Sequence, residues 1–107
     1  MRLCTIFIAL AIGALTEGMA LAESVPFGCT IVNEGMAVRI NVSNPAREAR
    51  SCLVSCRFTT PVWGGESQIM CAHIVPAGAD GIEMCTKTSG GIQLLQQTHG
   101  SADCIRR

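Results

Sequence analysis

The chain has no excess of charge of either sign, and each shortage in it removes a class of function. Eight Lys and Arg residues balance eight Asp and Glu. Beyond residue 22 there are seven cations (Arg39, Arg47, Arg50, Arg57, Lys87, Arg106, Arg107) and seven acids (Glu23, Glu34, Glu48, Glu66, Asp80, Glu83, Asp103), with no basic stripe among them. Nucleic-acid binding depends on clustered cations that displace counterions, so no nucleic-acid partner is expected. There is no apolar run of the ~20 residues that a bilayer-crossing helix requires, so no membrane span is expected. The C-x-x-C spacing of thiol oxidoreductases is missing. Neither G-x-S-x-G nor H-E-x-x-H surrounds the serines or the two histidines, His73 and His99, and nothing marks Glu66 and Glu83 as an acid–base pair. A non-enzyme without a cofactor is the expectation. There are no internal repeats, linkers or low-complexity tracts.

The first 22 residues read as a cleaved secretory leader. Met1 and Arg2 form a positive start, residues 3–15 (LCTIFIALAIGAL) an apolar segment, and Ala20-Leu21-Ala22 a small-residue cleavage site. A lipoprotein reading, with Cys29 lipidated after Gly28, is weakened by Pro26 and Phe27 directly before it and by Glu23 and Ser24 within the apolar region. Residues 23–107 are then expected to form one domain in an oxidising compartment, periplasmic or secreted.

Loss of the leader removes Cys4 and leaves Cys29, Cys52, Cys56, Cys71, Cys85 and Cys104. An even set in so short an exported chain reads as a disulfide framework of up to three bridges, because such a domain buries too little surface to be comfortable without them. The expected pairing is local: Cys29–Cys52, Cys56–Cys71 and Cys85–Cys104.

Turn signals divide the rest into short segments of strand type. Residues 29–32 form a β-branched run. In residues 37–43 (AVRINVS), Val38, Ile40 and Val42 alternate with Arg39 and Asn41, the pattern of a half-buried strand. Residues 50–60 (RSCLVSCRFTT) place Cys52, Val54, Cys56 and Phe58 on one face, with one helical turn expected ahead of them at 45–49. Along such a strand Cys52 and Cys56 lie ~13 Å apart, at ~3.3 Å per residue. A disulfide needs Cα atoms within ~7 Å, and a metal binds sulfur at ~2.3 Å, so the two must anchor to separate partners. Further strands are expected at 67–75, 82–87 and 92–97, with residues 98–103 (THGSAD) a polar loop. Five or six short strands at this spacing predict an all-β fold, a small antiparallel sandwich or open barrel stapled by disulfides.

The segment IVPAGADG, residues 74–81, resembles the V/I-P-A-G turn of bacterial immunoglobulin-like and cupredoxin-like sandwiches. That resemblance implies a crossing of the chain between two sheets.

Recognition is the activity left. The single tryptophan, Trp63, stands beside Gly64 and Gly65 in a Pro/Gly-rich loop, either as an interface residue or folded back over the core. A protein or another envelope component is the expected partner of a binding or structural module. Two alternatives stand beside it. One is copper binding through Met70, His73 and Met84, whose soft thioethers and imidazole suit Cu(I), although Met70 and His73 fall on opposite faces of a strand. The other is inhibition of an exported enzyme.

Overall fold

Alternation is cleanest at residues 38–42 and 52–58, and these form the central strands of two sheets. The computed structural model describes residues 22–106, so the expected leader falls outside the described residues except for Ala22. Seven strands follow in order: β1 (Glu23–Ser24), β2 (Phe27–Val32), β3 (Ala37–Val42), β4 (Arg50–Thr59), β5 (Glu66–Val75), β6 (Ile82–Thr88) and β7 (Gln96–Arg106). They make a four-stranded sheet in the order β1-β7-β4-β5 and a three-stranded sheet in the order β2-β3-β6. Every pairing is antiparallel. The fold is all-β, as expected, and the sandwich is the form it takes.

The core lies between the sheets. Val38, Ile40 and Val42 of β3 face Cys52, Val54, Cys56 and Phe58 of β4, all buried. Each Val, Ile or Phe side chain among them taken out of water contributes about 1.5–3 kcal/mol. Central strands show clean alternation because both backbone edges are paired and only one face meets the core.

Two elements differ from expectation. Residues 45–49 contain no helical turn. The buried Asn44 side chain organises this segment instead: its Oδ1 accepts from the Ala46 N–H at 3.1 Å, and its Nδ2 donates to the carbonyls of Glu48, Val75 and Pro76 at 3.0, 3.1 and 3.2 Å. The strand expected at 92–97 begins only at Gln96 and runs through the expected loop to Arg106. Residues 92–95 instead cross between sheets: the Leu94 N–H donates to Gly35 O at 2.8 Å and the Leu95 N–H to Thr59 O at 2.9 Å. Residues 98–103 read as loop because only Ala102 among them is buried. Their strand is made by backbone pairing with β4.

The crossing at residues 76–81 joins β5 of one sheet to β6 of the other, as the V/I-P-A-G resemblance implies. It docks on the β3–β4 crossing: Asn44 N–H donates to Ala79 O at 2.8 Å and Gly78 N–H to Ala46 O at 3.1 Å.

All six cysteines among the described residues are bridged, but not in the expected local pattern. The pairs are Cys29–Cys56, Cys52–Cys104 and Cys71–Cys85, with Cα separations of 6.7, 4.0 and 6.6 Å. Cys52 and Cys56 do anchor to separate partners. The expected Cys56–Cys71 pair fails because Cys56 lies opposite Ile69, and Cys71 opposite Val54, with both sulfurs turned toward the facing sheet. Cys52 lies directly opposite Cys104 because β7 is the neighbour of β4.

Candidate functional site: the tryptophan hairpin and the outer sheet face

The β4–β5 hairpin ends in a tight tip, residues 60–65. Thr60 N–H donates to Gly65 O at 3.2 Å and Gly65 N–H to Val62 O at 2.7 Å, which closes a four-residue turn from Val62 to Gly65. Gly64, third in that turn, has φ +70°, a conformation that side chains with a Cβ rarely adopt. Gly65 is fixed by close approach: a Cβ there would lie 2.6 Å from Thr60 Oγ1 and 3.0 Å from Val62 O. Trp63 therefore occupies the outward corner of the turn. Its side chain is 98 % exposed and does not fold back over the core, and Val62 beside it is also exposed. At the hairpin base, Glu66 Oε2 accepts from Thr98 Oγ1 at 3.1 Å, tying the tip to β7.

Below the tip, the outer face of the four-stranded sheet carries rows of aligned side chains. Arg57 lies between Gln68 and His99, Ser55 between Met70 and Ser101, Leu53 between Ala72 and Asp103, and Ser51 between Ile74 and Ile105. The half near the hairpin is polar. There Ser55, Arg57, Gln68, His99, Gly100 and Ser101 line a shallow depression of about 240 Å³. Gln68 Nε2 donates to Ser55 Oγ at 2.7 Å, and Arg57 makes no ion pair among the described residues. The far half exposes a cluster of apolar side chains, Leu53, Met70, Ile74 and Ile105, each 42–55 % exposed, with Ser51 and Asp103 among them. Leu53 is the one large apolar residue among the outward-facing side chains of β4.

The proposed soft ligands do not come together. Met70 stands on the outer face, whereas His73 belongs to the opposite set of β5 and lies beside Cys52 in register. Met84 sits in a β-bulge of β6 and packs against the core. Among the described residues no three His, Cys, Asp or Glu side chains converge as metal ligands would.

Charged groups gather at the other end of the sandwich. The Arg50 guanidinium, mostly buried, lies 3.2 Å from Glu23 and 3.6 Å from Glu48, and Arg106 lies 3.7 Å from Glu48. These pairs hold β1, β4 and β7 together at the chain's entry into the sheet.

The class defined by fold and surface is a small two-sheet sandwich with three internal disulfides and an exposed aromatic hairpin. No protein-family model, curated protein or solved structure matches the chain.

Proposed function

We propose that this chain is an exported, non-enzymatic binding module that docks a protein or envelope component through Val62 and Trp63. The carrying observation is the solvent-exposed indole on a turn whose geometry holds it outward. A tryptophan side chain has only two torsions to fix on binding, and tryptophan is enriched among interface hot spots. Three disulfides in a chain of this size support a working place in the periplasm or the medium. The polar depression below the tip, with the unpaired Arg57, supports a partner that offers an acceptor group beside its apolar pocket.

The test is a Trp63→Ala variant. It keeps the melting temperature of the parent, since the side chain contributes nothing to the core. Partner affinity falls by about 2 kcal/mol or more, roughly thirtyfold. Emission of the parent protein starts as that of a hydrated indole and shifts to the blue as the captured partner is titrated in. Unchanged capture by the variant, or no spectral shift on binding, disposes of the proposal.

A further inference from the structure

β5 is a sheet edge without the features that ordinarily close one. The Cα separation of 4.0 Å between Cys52 and Cys104 marks a narrow, non-hydrogen-bonded pair of the β4–β7 ladder. Both backbone groups of a strand residue point the same way, so Cys52 turns its N–H and C=O toward β5 and His73. By alternation the odd-numbered residues of β5 bond to β4. Glu66, Gln68, Met70, Ala72 and Ile74 then aim their N–H and C=O groups at the free edge, where they meet no other backbone among the described residues.

The remaining edges are blunted. β7 has a bulge at Thr98, the Gln97 side-chain amide on the His99 carbonyl at 3.2 Å, and β1 along its far end. β6 has its bulge at Met84 and carries Glu83 and Lys87. β2 is six residues long, follows Pro26, and lays the Phe27 ring over Gly100 of β7. By contrast β5 runs ten residues in unbroken register with β4, contains no Pro, Lys or Arg, and has Glu66 as its one charge. An edge of that kind is a template for another strand.

We propose that β5 pairs antiparallel with β5 of a second copy, about a twofold axis normal to the sheet, to form one eight-stranded sheet. Opposed residues in a sheet share a face, so the axis must pass through a residue and not between two. Centred on Met70, the register sets Met70 against its own copy, Gln68 against Ala72 and Glu66 against Ile74. All five edge residues then become hydrogen-bonded pairs, giving roughly ten bonds across the seam. The two Glu66 side chains fall at opposite ends, about 26 Å apart, so no like charges meet. On the outer face Met70, Ala72 and Ile74 of both copies close over the join beside Leu53. A ladder about 33 Å long with these side chains covers on the order of 1,000 Å² in total, the low end for a specific association, so a weak, concentration-dependent dimer is expected. The symmetric pairing consumes the one unprotected edge among the described residues and leaves blunted edges outermost, so assembly stops at two.

Sedimentation velocity of the oxidised protein across micromolar to millimolar concentrations tests this. A monomer–dimer equilibrium is expected, with the amides of Gln68, Met70, Ala72 and Ile74 gaining exchange protection as the dimer fills and those of Ile69 and Cys71 unchanged. Met70→Lys brings two ammonium groups face to face and weakens the dimer roughly tenfold or more. Ala72→Lys serves as the second variant should the first disturb the fold. Ser101→Lys, on the same face but away from the edge, leaves the dimer intact. A monomer at every concentration, open-ended oligomers, indifference to both edge variants, or equal dissociation by Ser101→Lys would overturn the proposal.

Discussion

Asn44 is the residue on which the crossings depend. One buried amide serves three carbonyls and one N–H at the β3–β4 and β5–β6 crossings. Asn44→Ala leaves the buried Val75 carbonyl and three part-buried backbone groups without this partner, and a buried orphan costs about 1–3 kcal/mol before the chain relaxes. We expect a loss of about 2–3 kcal/mol in urea unfolding with an unchanged slope. Asn44→Asp fares no better, since the carboxylate removes the donor and adds a buried charge. Gly35 is constrained in a different way: it has φ +89°, and a Cβ would lie 2.9 Å from the Leu94 carbonyl. At this scale the sequence was partly legible. The expected helical turn at 45–49 gives way to a crossing organised by Asn44, a role hidden from the sequence because its partners Val75 and Pro76 are 31 and 32 residues away.

At the scale of elements, the bridges divide the work. Cys29–Cys56 and Cys71–Cys85 join one sheet to the other, and Cys52–Cys104 joins neighbours within one sheet. A non-reduced digest analysed by mass spectrometry should yield these three cross-linked peptides and none of the local pairs. Sequence separations of 52, 27 and 14 residues predict chain-entropy contributions of about 4, 3.5 and 3 kcal/mol. Paired Cys→Ala removal should therefore destabilise most at Cys52/Cys104 and least at Cys71/Cys85, as read from denaturant midpoints. β3, β4 and β5 were legible because a buried face forces alternation, and β6, which has no fully buried residue, because turn signals bracket it. β7 was not, because its first six residues are exposed and its strand character comes from pairing alone.

The whole molecule is a sandwich whose core side chains are few and whose staples are many. A domain of this size has a net stability of only about 5–12 kcal/mol. The three loop-closure terms together come to roughly ten, so reduction of all the bridges removes nearly all of it. Far-UV circular dichroism should show loss of the β signal on reduction at 25 °C and its return on reoxidation. Retention of the native spectrum in the fully reduced protein would mean that the inter-sheet packing is stronger than the buried side chains indicate.

What the sequence determined by itself was local: the strands with one buried face, the turns between them, the separate destinations of Cys52 and Cys56, and the all-β class. Those follow from side-chain period and backbone geometry, which act over a few residues. Only the tertiary structure decided which cysteines meet, which strand is left at an edge, that Trp63 points into water, and that Leu53, Met70, Ile74 and Ile105 gather on one face. Each of these depends on which strands become neighbours, and that choice is made by pairing and packing between segments far apart in the chain.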